Sequence, residues 1–215
     1  MNATASYRFN GRQYKRSVSD VVLHSRVNVP AAPARLQLDW QREVTRTLQL
    51  EPGQVEELRL ARTRARWPEY GQCVQAAIDW TQSLGLNGLP IKSDAALMAC
   101  RGADLHHDGE LYGAFAFCNL FLSEDRGLDL HFASTGLRIP LTRGTIVIFD
   151  TYQPHAVMTR DRTSFAASDF EGDRDLTQVF LTWELPIDNP QLAHLLHIDI
   201  DFQPVCLSCP ARSRP

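Results

Sequence analysis

The sequence predicts a mainly β fold with helices on its N-terminal side. Before residue 90 apolar residues recur at helical spacing, whereas after Ile91 short apolar segments alternate with turn residues. Many short strands divided by regular turns are typical of a sandwich or barrel. The chain has 215 residues, a length at which β-barrels often form a single domain. We therefore expect one domain over residues 1–215.

Residues 1–90 are predicted to be a mostly helical support for the barrel. Asn10-Gly11, which lies between alternating aromatic positions, predicts a β-hairpin. The small and proline residues of Val29–Leu36 indicate a linker. Helical spacing of apolar residues, ended each time by proline or glycine, predicts three helices after it. They are Asp39–Leu50, Val55–Trp67 and Gly71–Leu84.

Residues 91–188 are predicted to form the barrel core. The predicted strands are Ser93–Cys100, Tyr112–Leu122, Leu128–Phe132, Leu137–Pro140, Thr145–Phe149, His155–Met158 and Thr177–Leu185. The polar segment Thr159–Asp175 is long for a loop in a compact domain, which indicates a lid or binding loop. Residues 189–215 are predicted to form a short helix, Pro190–His197, and a tail.

Composition narrows the possible partners and locations. The formal net charge is −3, which argues against a nucleic-acid partner. No apolar run approaches the ~20 residues of a membrane span, and the N-terminus lacks a secretory leader. We therefore expect a cytoplasmic protein. The chain has 5 cysteines, an odd number that favours reduced thiols. Two of them, Cys206 and Cys209, form a lone CxxC that we assign to the tail.

Three residues have the types and spacing of an iron site. His106 and Asp108 are two positions apart, so on a strand both side chains leave the same face. His155 follows the predicted turn Asp150–Pro154 and begins a strand. If the two strands are neighbours, the three side chains can bind one ion together. Two imidazoles and one carboxylate that leave open positions are the ligand set of non-haem Fe(II) oxygenases.

The segment from Leu97 to Leu185 resembles the Fe(II)/2-oxoglutarate-dependent dioxygenase superfamily. The motif HxD…H is present as His106, Asp108 and, 47 positions after Asp108, His155. Three pieces around it are similar to the superfamily's strands and turns: LSEDRGLDLHF, GTIVIFDTYQPHAV and FLTWEL. The resemblance implies a double-stranded β-helix, a jelly-roll or cupin-like barrel, with Trp183 as an inward aromatic of the last strand.

The resemblance also implies an activity. His106, Asp108 and His155 would be the catalytic metal ligands for Fe(II), with 2-oxoglutarate and O₂ as co-substrates. The reaction would hydroxylate a C–H bond of a small molecule or peptide side chain, with succinate and CO₂ as co-products. The protein's own part would be to orient these ligands and to exclude water.

The superfamily usually has an Arg or Lys at the start of the last strand, which pairs with the distal carboxylate of 2-oxoglutarate. Counting back from Trp183 on its own face places Thr177 there. Other candidates for this contact are Arg174, Arg162, Arg160 and Arg138. Asn119 is a further candidate polar contact to the co-substrate.

Two other functions fit the same barrel. A cupin-like metal-dependent isomerase or dioxygenase would need no 2-oxoglutarate, as the uncharged Thr177 suggests. A non-catalytic ligand-binding barrel would need no metal. A nucleic-acid demethylase of the superfamily is disfavoured by the acidic charge balance. The sequence identifies neither the substrate nor the oligomeric state, because specificity in such folds depends on loops.

Overall fold

The computed structural model describes residues 3–9, 11–87, 95–172 and 174–201. Thirteen strands make up most of the regular structure of these residues. In chain order they are β1 Thr4–Phe9, β2 Arg12–Ser17, β3 Val22–Arg26, β4 Val55–Leu58, β5 Ala96–Cys100, β6 Ala103–His106, β7 Phe115–Phe121, β8 Leu128–Phe132, β9 Leu137–Pro140, β10 Thr145–Asp150, β11 His155–Thr159, β12 Gln178–Pro186 and β13 Ile200–Asp201. The helices are α1 Ala34–Arg42, α2 Leu60–Arg66, α3 Tyr70–Ser83, α4 Gly109–Tyr112 and α5 Pro190–Leu195, with a π-helix at Glu43–Leu48 and a 3₁₀ turn at Ala167–Phe170.

The strand order shows a jelly roll. One sheet has the order β3-β10-β7-β12-β5-β4, and the other has the order β6-β11-β8-β9. Every paired strand in both sheets runs antiparallel to its neighbour. The eight strands β5 to β12 therefore divide between two four-stranded layers, which is the double-stranded β-helix. The prediction of this fold is confirmed.

Two apolar clusters define the faces of the larger sheet. The inner cluster joins both sheets and includes Phe121, Phe149 and Phe180 from the larger sheet with Leu130 and Val157 from the smaller one. The outer cluster joins the other face of the larger sheet to the helices. Its members include Leu36 and Trp40 of α1, Cys73 and Ala77 of α3, Leu192 of α5, and Leu181, Trp183 and Leu185 of β12.

The prediction that Trp183 points inward is therefore wrong. Trp183 belongs to the helix-covered face, and the inner positions of β12 are Gln178, Phe180, Thr182 and Glu184. Both faces of this strand are buried, so apolar residues occupy both alternating sets and the pattern does not reveal which set is inner. As a consequence, Gln178 and not Thr177 is the inner residue at the start of the last strand.

The N-terminal predictions were correct in part. Helix α3 matches the prediction for Gly71–Leu84, and β1 and β2 pair as the hairpin predicted around Gly11. The helix predicted from Val55 is wrong in its first part, which is β4 paired with β5, because the barrel edge offers hydrogen bonds to an extended segment. The predicted linker Val29–Leu36 is irregular chain up to Pro33, as predicted, although Val29 and Ala32 are buried against the outer cluster, and its last three residues begin α1.

Two further boundaries differ from the predictions. The first predicted helix begins five residues earlier, at Ala34, and continues beyond Arg42 as the π-helix. Tyr112, predicted as the start of a strand, instead ends α4. The predictions for Asn10, for the first two residues of the strand begun at Ser93 and for the CxxC tail lie outside the described residues. Within the described residues, none of the helices has the length and apolar character needed to cross a membrane.

Candidate metal centre

The three predicted ligands meet at one end of the barrel. Their ligand atoms all lie within 4.8 Å of one another. His106 ends β6 and pairs directly with His155, which begins β11. The His155 Nε2 lies 3.6 Å from Asp108 Oδ2, and the His106 Nε2 lies 3.7 Å from Asp108 Oδ1. The sequence prediction that strand pairing would bring His106 and His155 together agrees with this geometry.

Asp108 reaches the group by a different route from the one predicted. The strand stops at His106, and Asp108 has φ −101° and ψ 2° at the start of α4. Its backbone N–H donates to Thr151 O at 2.8 Å, which ties this turn to the turn before His155. The carboxylate therefore comes from a turn and not from the same strand face as His106.

The imidazoles are oriented to bind a metal through Nε2. The Nδ1 of His106 lies 2.7 Å from Asp104 O, and the Nδ1 of His155 lies 3.0 Å from Gln153 O. Because a carbonyl can only accept, both Nδ1 atoms carry a proton, and in the neutral form of each imidazole the Nε2 atom is the one with a free lone pair. Burial lowers the pKa of His155 to about 4, and nearby His106 also acts to lower it, so this imidazole is neutral at pH 7. Two such nitrogens and one carboxylate fit Fe(II).

A buried ion pair holds the turn that delivers His155. Asp150 and Arg16 have fully buried side chains, with Arg16 Nη2 2.5 Å from Asp150 Oδ2. Asp150 also accepts from the backbone N–H of Ser19 at 2.8 Å and of Tyr152 at 3.0 Å. Arg16 donates to Gly113 O at 2.8 Å, beyond α4. Sequence reasoning missed Arg16, because an arginine within a polar hairpin carries no signal of burial.

Tyr152 packs its ring against Gly109, the residue that follows Asp108. Its hydroxyl donates to Ser6 O at 2.8 Å, and the guanidinium carbon of Arg16 lies 5.5 Å from the centre of its ring. A Cβ added to Gly109 would overlap this ring. The absence of a side chain at Gly109, directly after the ligand Asp108, is thus required by close packing.

We expect Gly109→Ala to destabilise the fold by about 1–3 kcal/mol, because the added methyl group overpacks the site. The displaced Tyr152 and Asp108 backbone should also weaken metal binding. Thermal unfolding and metal titration of the variant measure both effects. Gly71→Ala in α3 is the control, since its added Cβ meets no atom within 4 Å. Equal melting temperatures for the two variants would contradict this account of Gly109.

The predicted arginines lie away from the three ligands. Arg160 pairs with Asp125 and Asp129 at 3.0 and 2.8 Å. Arg162 pairs with Asp169 at 2.8 Å. Asp129 has an outward position on β8, between the inner Leu128 and Leu130.

Two other predicted positions face the helix-covered side of the larger sheet. Arg174 and Thr177 line a cavity of about 480 Å³, together with Trp40 and Arg126. None of the three metal-site residues lines it. Arg174 donates to Arg126 O at 2.8 Å. Arg138, on β9, donates to Asp129 at 3.2 Å and faces away from the barrel interior.

Asn119 is the predicted polar contact that lies on the inner face. It pairs with Val147 and Thr182 across the sheet, and Val147 belongs to the inner cluster. The Asn119 side chain is buried, with 8% of the residue exposed. Its Oδ1 has no hydrogen-bond partner among the described residues.

No family model matches this chain, and no curated protein matches its sequence. Solved structures that align with it share little of its sequence. A prolyl-4-hydroxylase from Pseudomonas putida is 17% identical with a TM-score of 0.42, over 77% of this chain and 91% of that one. A Trichoplax adhaerens prolyl hydroxylase, solved with a hypoxia inducible factor peptide fragment, is 13% identical with a TM-score of 0.42, over 80% and 86%. The alpha-ketoglutarate-dependent epimerase SnoN from nogalamycin biosynthesis is 11% identical with a TM-score of 0.40, over 77% and 78%. Likenesses of this size establish no shared activity.

Proposed function

We propose that this protein is an Fe(II)-dependent oxygenase that hydroxylates a C–H bond of a small molecule or a peptide side chain. The observation that carries the proposal is the grouping of His106, Asp108 and His155 within 4.8 Å of one another. A facial set of two imidazoles and one carboxylate leaves open positions on the metal for O₂ and an organic ligand.

The protein's own residues would orient the metal and control its surroundings. His155 is buried, and its ring lies 4.8 Å from Phe149 and 6.2 Å from Phe132. These rings exclude water on the inner side. His106 has 39% of its side chain exposed, so substrate would approach from that side. When bound, iron would supply O₂ activation, which no protein side chain provides.

The 2-oxoglutarate implied by the resemblance lacks its usual charged partner. No lysine or arginine occupies an inner-face position of β5 to β12, strands that lie wholly within the described residues. We keep 2-oxoglutarate as the first co-substrate to test, but the proposal rests on the metal ligands alone. The uncharged inner face favours, as a second candidate, a cupin-like metal-dependent dioxygenase or isomerase that needs no 2-oxoglutarate.

Anaerobic titration with Fe(II), followed by addition of 2-oxoglutarate, tests the proposal. We expect one iron per chain, with a rise in melting temperature because the metal binds only the folded site. A weak visible charge-transfer band on adding 2-oxoglutarate would support the first candidate, and its absence with iron bound would support the second. Failure to bind iron, manganese or cobalt would contradict both and would leave a non-catalytic barrel.

A further inference from the structure

The inner face of the larger sheet forms successive rows of side chains below the candidate metal centre. The first row is Phe149, Phe117 and Glu184, which pair across β10, β7 and β12. Phe149 contacts His155, so this row lies beside the metal ligands. The second row is Val147, Asn119 and Thr182. Successive rows are about 7 Å apart, because every second residue of a strand faces the same side.

An aromatic pair forms the next row below the second one. Phe121 and Phe180 pair across β7 and β12, and their ring centres lie 5.1 Å apart. Met98 pairs with Phe180 on the adjoining strand β5. A ligand that binds the metal at one end and extends inward therefore meets Asn119 and Thr182 first and a hydrocarbon floor next.

One buried amide on the metal side of this floor has unused hydrogen-bonding capacity. The Oδ1 of Asn119 has no hydrogen-bond partner among the described residues, which favours a bound polar partner beside it. Gln178 lies two residues before Phe180 on β12, so it is on the other side of the Phe121–Phe180 floor, where its Nε2 donates to Leu141 O at 3.4 Å. It therefore does not line the region between the metal centre and the floor.

A carboxylate in this space would be poorly stabilised. An ionised group buried without a counter-charge keeps a desolvation cost that neutral hydrogen bonds offset only in part. A primary amide or hydroxyl costs far less to bury, and Asn119 can donate to it and accept from it. The inner face therefore favours a ligand whose end away from the metal is uncharged over a ligand that ends in a carboxylate.

We propose that the space between the metal centre and the Phe121–Phe180 floor binds an uncharged hydrogen-bonding group, such as a primary amide or hydroxyl, and disfavours the distal carboxylate of 2-oxoglutarate. This inference rests on the proposed metal site. Asn119 contacts the distal group, and none of the inner-face side chains from the Phe149 row to this floor is a cation that could pair with a carboxylate.

Two metal chelators of equal length test the inference without turnover. N-oxalylglycine ends in a carboxylate, and N-oxalylglycinamide ends in a primary amide, while both share the oxalyl group that binds the metal. Titration of each into the Fe(II)-loaded protein under argon gives two dissociation constants. We expect the amide to bind about tenfold more tightly or better, since one unpaired buried charge costs at least that much.

A substitution should reverse this preference. Thr182→Arg places a guanidinium in the second row, beside Asn119, and we expect the carboxylate chelator to bind this variant more tightly than the amide. Thr177→Arg is the matched control, because Thr177 lines the cavity on the helix-covered side and should leave the preference unchanged. If Thr182→Arg fails to fold, the two constants of the unmodified protein still decide the question.

The outcomes separate this inference from the proposed function. Equal or tighter binding of the carboxylate by the unmodified protein would overturn the inference while iron binding still supports an oxygenase. Iron bound with neither chelator binding would overturn it as well. Absence of iron binding, measured by metal analysis before any chelator is added, would overturn the proposed function and the inference together.

Discussion

Asp108→Ala should lower the affinity for Fe(II) by more than about 100-fold, because loss of even an outer hydrogen-bond partner of a metal ligand typically costs 10–100-fold. Asp108 is the only carboxylate among the three grouped residues, and its two oxygens lie 3.6 and 3.7 Å from the ligand nitrogens of His155 and His106. Without it, the metal would keep the two imidazole ligands and lose the negative charge that partly balances the positive charge of the metal ion. Isothermal titration with Fe(II), or with Mn(II) in air, measures the change.

His107→Ala is the matched control for this experiment. His107 is adjacent to both His106 and Asp108 in sequence, but its ring lies 5.6 Å from that of Tyr152 and it is not a member of the grouped ligands. We expect it to bind Fe(II) within a few-fold of the unmodified protein. Equal losses in the two variants would mean that the segment as a whole, and not the Asp108 carboxylate, determines binding.

Arg16→Met should lower the free energy of unfolding by about 3–5 kcal/mol, because it leaves the buried Asp150 carboxylate without its counter-charge. For a chain of this size the melting temperature should fall by roughly 10 °C. Asp150 begins the turn that delivers His155, so metal affinity should fall in the same variant. Denaturant unfolding and Fe(II) titration measure the two effects separately.

Two further variants make this prediction specific. Arg12→Met removes an exposed arginine from the same strand, β2, and should leave stability nearly unchanged. Adding Asp150→Asn to Arg16→Met should recover part of the loss, because an asparagine is neutral and its one side-chain oxygen can still accept from the N–H of Ser19 or of Tyr152, which donate to different oxygens of Asp150. No recovery would indicate that Arg16 stabilises the fold through its packing and not through its charge.

The grouped ligands were predictable because their signal is local. His106 and Asp108 are two positions apart on the chain, and the turn before His155 has its own residue pattern. The barrel was predictable for the same reason, since each strand is bounded by turn residues. The route by which Asp108 reaches the metal was not predictable, since it depends on where β6 ends.

The failures share one physical cause, which is that each outcome depends on contacts with segments distant in the sequence. In β12 both faces are covered, so Trp183 and Phe180 look alike in the sequence although they point in opposite directions. The sequence of Val55–Leu58 predicts a helix, but the segment forms β4 because the edge of β5 is available to pair with it. The Arg16–Asp150 pair joins residues of two distant segments, and no local pattern marks either residue as buried.

Main-chain carbonyls fix the orientation of the imidazoles of the two candidate metal ligands. The Nδ1 atoms of His106 and His155 donate to the carbonyls of Asp104 and Gln153, each two residues before its own histidine. Every amino acid brings a carbonyl, so the tautomer and ring direction do not depend on which side chain stands at positions 104 and 153. Substitutions at positions 104 and 153 can therefore leave the orientation of both imidazoles unchanged, provided that the local backbone path is kept.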